Sequence, residues 1–416
     1  MAETNLLKES DFRRLFYGQI FSQLGAQGLR LVLTLIAIEA LRASESAVSL
    51  LVACLALAFP IIGLPVGAVV DRLRHRRVMI SSDLGRAAVL ASIPLAAWLW
   101  KLTMTQMYLV ALVVGVGTVF FDVSYQSYLP RLIGRDKLLE GNAKLETVRT
   151  VAQMGGPSVG GYLFQLLPAA LSPVAVIGGF VGSAACIAAI RKPEPVREKR
   201  PIKEIGGDIV AGFRFVVTRR LMVLIVVCSA IFNFFISMHY PIYLILLSRD
   251  LRLPGAAIGI LLAGSGVGGI WGSVAVRRLS ARLGLVRLAA YSVAAIALCM
   301  FLLPIVQSDW RLSLVALYQL VSGFAVVAYN VSTVSFMQEL TPEPMLGRMA
   351  ATVRTLMWGT VPIGSLVGGL SADLIGVRLT LLVCAAGVAL AGVWLFTASP
   401  RAVDPHELAT GLQPAA

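Results

Sequence analysis

Apolar residues run along this chain in long blocks, and short charged or turn-forming stretches separate them. Blocks near 15–40, 47–70, 78–100, 106–129, 141–166 and 169–190, then 221–247, 255–276, 285–306, 310–337, 346–370 and 377–397, predict twelve helices. Each has the ~20 residues needed to cross a bilayer. The first block, Leu15 to Leu41, is too long for a signal-peptide core and is followed by no small-residue cleavage site, so it reads as a retained spanning helix. Between the sixth and seventh blocks, residues 191–220 carry nine basic residues and three prolines. The predicted layout is a six-helix bundle over 1–190, a cytoplasmic linker over 191–220, a second bundle over 221–398 and a cytoplasmic tail over 399–416. The front of the linker should be solvated, while Ile205 to Val217 has the pattern of an amphipathic helix on the membrane face. The tail should be disordered.

The two halves repeat. Thr147, Val148, Arg149 and Thr150 return as Thr352, Val353, Arg354 and Thr355, 205 residues later, and Gly67/Gly272, Arg72/Arg277, Arg77/Arg282 and Pro157/Pro362 share that spacing. A chain with a repeat of half its own length contains two copies of one unit. The predicted fold is all-α and integral to the membrane, with twelve transmembrane helices in two pseudo-symmetric six-helix bundles, the arrangement of many transporters.

Composition agrees: 57% of residues are hydrophobic and 14% charged, which excludes an ordinary soluble protein. The net charge of +14 would suit a nucleic-acid binder, but its placement argues otherwise. Of the 36 Lys and Arg, 27 fall in the tails and even-numbered connections, counting Lys144 and Arg354 with their adjoining loops, and six fall in the odd-numbered ones. By the positive-inside rule both termini are cytoplasmic, and few cations are left for a nucleic-acid groove. The five cysteines lie one per helix and the three histidines are scattered, so neither a disulfide framework nor a metal site is indicated. No phosphate-cradling loop and no catalytic constellation is present, so no cofactor and no enzymatic activity are expected.

The segment GAVVDRLRHRR at 67–77 places Gly67, then Asp71, Arg72 and Arg77, at the inner end of the second span. It resembles the corresponding loop of the major facilitator superfamily. That resemblance implies a gate in which Asp71 latches an inner helix end through charge pairs. At the 205-residue spacing Val276 stands opposite Asp71, so the second half should lack the acid. GGPSVGG at 155–161, with Gly155, Gly156, Pro157 and Gly160, resembles the fifth-helix signature of exporters in that superfamily and implies export. Arg354 joins the gate set. TPEPMLGRM at 341–349, and the stretch from Leu129 to Asn142, resemble the drug and siderophore branch of macrolide-efflux and enterobactin-export proteins. Those relatives often carry Gly-Asp in the first helix where this chain has Gly25 and Ala26, so that acid's role has no bearer here.

Asp122, within the fourth span, is then the leading candidate for proton coupling, the alternative being a fixed pair with Arg149 or an arginine of the 72–77 loop. Glu146 and Asp83 follow, although Asp83 could simply pair with Arg86 one turn away. Glu39 near the outer end of the first helix ranks with them. For substrate, Gln19, Gln23, Gln27 and Arg30 form one stripe on the first helix. The seventh helix offers Asn233, His239, Tyr240 and Tyr243, and the tenth Gln319, Tyr329 and Asn330, a set suited to a pocket for an amphipathic molecule. The resulting expectation is a bacterial inner-membrane exporter, acting as a monomer, that moves a small molecule against protons. A lipid flippase of the same fold, or a transport-inactive receptor or assembly partner, are the alternatives.

Overall fold

The computed structural model describes residues 6–70, 72–99, 101–134, 137–194, 212–342 and 345–398. Among them twelve long helices follow one another with no strand. They are α1 (Ser10–Leu35), α2 (Glu45–Val70), α3 (His75–Trp98), α4 (Met104–Ile133), α5 (Leu138–Leu166), α6 (Pro173–Ala188), α7 (Arg220–Ile245), α8 (Gly255–Leu283), α9 (Leu285–Leu302), α10 (Leu312–Glu339), α11 (Leu346–Ile375) and α12 (Val377–Ala398). Among the described residues, ten helical segments are long and apolar enough to cross a membrane. The glycine-rich helices α5 and α11 are outside that set. Many large apolar side chains stay exposed, among them Leu109, Leu374 and Leu390, which in this context is a surface made for lipid. Trp98 at the end of α3 and Trp310 just before α10 are exposed at helix ends, where indole rings suit the membrane interface.

Helix ends follow from local chemistry. Gly134 and Gly376 take φ of 80° and 85°, a conformation open to glycine, and their N–H groups donate to Pro130 O and Ala372 O to close α4 and α11. Thr103 caps α4 by accepting from the Gln106 N–H at 3.3 Å. Both α1 and α7 run on into a five-residue π turn, Ile36–Ala40 and Leu246–Asp250, and each turn is followed by a left-handed arginine, Arg42 and Arg252.

By contact the chain divides into two compact units, residues 1–200 with 247–263, and 201–246 with 264–416. In the first, α1 packs on α5 and α6, α3 on α4 and α6, and α2 on α4. In the second, α7 packs on α11 and α12, and α9 on α10 and α12. Four of the five pairings recur, and the fifth appears as the close approach of α8 to α10 at Gly268, Gly272 and Gly323. The spacing of the repeat varies with the helix pair. The starts of α7, α8 and α9 lie 210 residues after those of α1, α2 and α3, those of α10 and α11 lie 208 after α4 and α5, and that of α12 lies 204 after α6. Val276, opposite Asp71 at the motif spacing of 205, is a buried residue inside α8. The conclusion that the second half lacks the acid is unchanged.

The linker's front edge differs from the sequence expectation of solvated chain. Glu194 folds back under the first unit, where its carboxylate accepts the N–H groups of His75 and Arg76 at 2.8 and 3.2 Å and meets Arg131 at 3.5 Å. A carboxylate at the N-terminus of α3 is stabilising both as a cap and against the helix dipole. Asp11 likewise accepts the Arg191 and Lys192 N–H groups. Residues 212–217 are helical, and Val216 packs with Met222, Ile225, Met337 and Val353. The rest of the expected amphipathic helix, and the tail, lie outside the described residues.

Candidate functional site

The most unusual chemistry in the first unit is a charged pair in its apolar interior. Asp83 and Arg86, one turn apart on α3, are 0% and 2% exposed and form a direct ion pair through Oδ1 and Nη2. A buried pair of this kind persists only if neighbours complete its hydrogen bonding. Ser22 of α1 accepts from Arg86 Nη2 at 3.2 Å and Thr118 of α4 accepts from Nη1 at 3.3 Å. The rings of Phe180 (α6) and Phe121 (α4) lie 4.2 and 4.9 Å from the guanidinium carbon, where aromatic faces attract a cation. Gly117 makes the approach possible, since a β-carbon there would stand 2.8 Å from Arg86 Cγ. Two atoms of the pair, Asp83 Oδ2 and Arg86 Nε, make no hydrogen bond.

Asp122, one residue beyond Phe121, is half-buried and close enough to Arg86 for direct charge interaction. Further along, Tyr125 feels Glu146, Asp122 and Arg149. Glu146 and Arg149 pair at 2.8 Å on the exposed face of α5. The four residues expected to serve proton coupling thus lie along one row from buried α3 to exposed α5, with Arg86 among them.

Of the expected gate residues, Gly67 is in α2, Arg72 and Arg77 are exposed around the turn into α3, and Arg354 is exposed on α11. Asp71 lies outside the described residues. The glycines of α5 have a direct structural use. A β-carbon on Gly156 would stand 2.5 Å from Gln27 Cβ, and one on Gly160 would stand 2.9 Å from Gly28 O, so α5 and α1 meet backbone to backbone. On another face, a β-carbon on Gly161 would meet Gly255 O at 2.2 Å, and Ser158 donates to Gly259 O at 3.1 Å. Around that seam Arg249 pairs with Glu45 at 3.1 Å and Ser248 donates to Glu39 at 3.0 Å. Gly28 and the Arg249 pair escape a reading of the sequence, because neither belongs to a recognisable motif.

The expected substrate residues divide by position. On α1, Gln23 and Gln27 are half-buried, Arg30 is exposed and Gln19 is buried. In the second unit, Tyr240 is half-buried, Asn233 donates to the Ser229 carbonyl of its own helix at 2.8 Å, and Asn330 is exposed. His239, Tyr243, Gln319 and Tyr329 are buried. His239 stacks on Tyr243 with centroids 5.1 Å apart, and Tyr318 closes the cluster. Tyr329 shares a 2.6 Å hydrogen bond with Ser229. An open groove of about 640 Å³ lies along α8, lined by Ile270, Trp271, Val274, Leu279, Arg278 and Arg282. Drug-sized sites are of this size, roughly 300–1,000 Å³.

Comparison with known proteins places this geometry. The family model described as transmembrane secretion effector matches residues 3–412. The chain is 27% identical over 343 residues to the multidrug efflux pump Tap of Mycolicibacterium fortuitum, covering 79% of this chain and 81% of that one. It is 24% identical over 354 residues to macrolide efflux protein A of Streptococcus pyogenes, covering 79% and 83%. Among solved structures, a mutant of the nucleoside transporter NupG superimposes with a TM-score of 0.76 at 15% identity, over 93% of this chain and 99% of that one, a likeness of fold. The chain is a multi-pass membrane transporter of the major facilitator fold, and it belongs to the transmembrane secretion effector family.

Proposed function

We propose that this transporter exports an amphipathic small molecule, a drug-like compound or a siderophore-type metabolite, across the bacterial inner membrane. It works as a monomer with both termini in the cytoplasm, opens alternately to the two sides, and is driven by protons moving inward. The observation that carries the reading is the similarity to multidrug and macrolide efflux pumps over about four-fifths of the chain. Two features of the structure support it. The α8 groove joins an apolar wall to two guanidinium groups, which suits a molecule with an apolar body and an anionic or zwitterionic end. The acid-rich row from Asp83 to Glu146 supplies carboxylates inside the membrane domain, where ionisable groups serve function by default.

Asp122 is the carboxylate on which coupling turns. The test is accumulation of erythromycin, a macrolide, by inside-out proteoliposomes under an imposed pH gradient. Asp122→Asn is expected to abolish gradient-driven accumulation while the purified protein keeps its melting profile. Undiminished accumulation by the variant removes Asp122 from the mechanism, and absence of gradient-driven flux in the unmodified chain rejects antiport of this probe.

A further inference from the structure

We infer that the α8 groove is a cargo site for an anionic amphiphile with one narrow apolar chain, its anionic group held by Arg278 and Arg282. The inference rests on the export reading and adds to it a chemical class for one of the transported molecules.

The groove has the width of one chain. Side chains four apart form ridges along a helix, with a furrow between neighbouring ridges. Here one ridge is Ile270, Val274, Arg278 and Arg282, and its neighbour runs from Trp271 to Leu279. The furrow between two such rows accepts one extended chain, while two chains side by side exceed its width. Its walls are open, since Trp271 and Val274 are 71% and 72% exposed and both arginines are exposed. α8 packs on α10 through Gly268 and Gly272, where a β-carbon on Gly272 would stand 2.7 Å from Phe324 O. The furrow is therefore on the side of α8 turned from α10.

Charge fixes the head group. Both guanidinium groups belong to the same ridge, one turn apart, in the last six residues of α8. Two arginines at that spacing make a two-pronged holder for phosphate or carboxylate. α8 contains no Asp or Glu, so its own residues offer nothing to the cation of a zwitterion. Arg278 is eight residues past Ile270, which gives about 12 Å of apolar groove beyond the anion. By the distribution of Lys and Arg this end of α8 is on the cytoplasmic side, at the depth where the head group of an inner-leaflet amphiphile stands.

Ordinary membrane anchorage does not account for the arrangement. Arg277 also lies near the end of α8 and is exposed, but it stands about 100° round the helix from Arg278 and outside the groove. Anchorage is served by an arginine on either side, whereas the groove takes two on one ridge. α2, the counterpart of α8 in the first half, contains neither tryptophan nor arginine. Contact with the bilayer is required of both helices, so it leaves Trp271, Arg278 and Arg282 unexplained.

The test is equilibrium binding of radiolabelled dodecyl phosphate to the full-length protein in nanodiscs of phosphatidylcholine, with partition into protein-free discs subtracted. The unmodified chain is expected to bind it saturably. Arg278→Gln and Arg282→Gln should each weaken binding about fivefold. Arg277→Gln should leave it unchanged, and dodecyltrimethylammonium, the same chain bearing a cation, should not displace the probe. The inference is overturned if binding is not saturable, if Arg277→Gln weakens it as much as Arg278→Gln, or if dodecyltrimethylammonium displaces it. Displacement by phosphatidylglycerol as effective as by unlabelled dodecyl phosphate also overturns it, because the groove is then a seat for two-chain bilayer lipid. All three arginines are exposed, and either groove variant alone decides if the other fails to fold. Binding in the discs needs no gradient. A chain that moves no erythromycin rejects antiport of that probe without touching this result, and failure to bind dodecyl phosphate rejects this inference while macrolide flux stands.

Discussion

A single side chain in the first unit carries a large electrostatic responsibility: Arg86 neutralises a carboxylate that is 0% exposed. Removing one partner of such a pair leaves an uncompensated charge, and the cost is about 3–5 kcal/mol. Arg86→Gln should lower stability by that order at alkaline pH, where the orphaned Asp83 is ionised. The deficit should shrink as pH falls and the acid is neutralised, the opposite of a carboxylate held ionised by a cation. Thermal melts of the variant across pH check the sign, and a deficit that grows on acidification contradicts it. The i, i+3 spacing makes an Asp83–Arg86 pair legible from one helix alone. Its depth is not legible there, because Ser22, Thr118 and Phe180 come from three other helices that no spacing along α3 reveals. His239 shows the same limit, since its stack on Tyr243 is one turn away on α7, but the Tyr318 ring that helps cover it comes from α10.

At the scale of elements, the glycine content of α5 has a packing reason independent of any signature. Gly156 faces α1 so closely that an added β-carbon would stand 3.1 Å from Gly28 N as well as against Gln27. Gly156→Ala forces the two backbones apart, an overpacking cost of about 1–3 kcal/mol. Gly178 on α6 has nothing within 4 Å of the equivalent position. There Gly→Ala should be neutral or stabilising by up to about 1 kcal/mol, through helix propensity and a less mobile unfolded chain. Melting temperatures of the two variants should therefore move in different directions from the parent, and equal losses would mean that the seam is looser than the geometry indicates. Ten of the twelve long helices are readable from hydropathy, because a helix satisfies its own backbone in lipid, while α5 and α11 fall short of it. A single register for the repeat is not, because shared motifs give 205 residues, while the helix starts of the two halves are offset by 204 to 210. Composition alone puts Glu194 in solvated linker, yet the orphan N–H groups of α3 draw its carboxylate inward. Glu194→Gln keeps a hydrogen-bonding oxygen but loses the charge at the helix terminus, and should cost about 0.3–1 kcal/mol in the same melts.

For the molecule as a whole, orientation in the membrane follows from charge and can be tested without any substrate. The positive-inside rule weighs Lys and Arg in short connections, and here 27 lie on one side of the alternation against six on the other. Acidic residues count for little in that rule, so Glu39, Glu45 and Asp309 do not offset the bias. Reporter positions should be exposed. Ser44, between α1 and α2, and Ser308, between α9 and α10, are exposed in odd-numbered connections, while Thr218 is exposed just before α7 on the cationic side. In a background with Cys54, Cys186, Cys228, Cys299 and Cys384 replaced, a membrane-impermeant maleimide added to intact bacteria with a permeable outer membrane should label Ser44→Cys and Ser308→Cys. Thr218→Cys should react only once the inner membrane is opened. Ser44 and Ser308 come from different halves of the repeat, so agreement between them requires an even number of crossings in between, as the eight helices α2 to α9 give. Disagreement would mean that one half is misthreaded, and labelling of Thr218→Cys alone from outside would invert the topology and with it the direction assigned to transport.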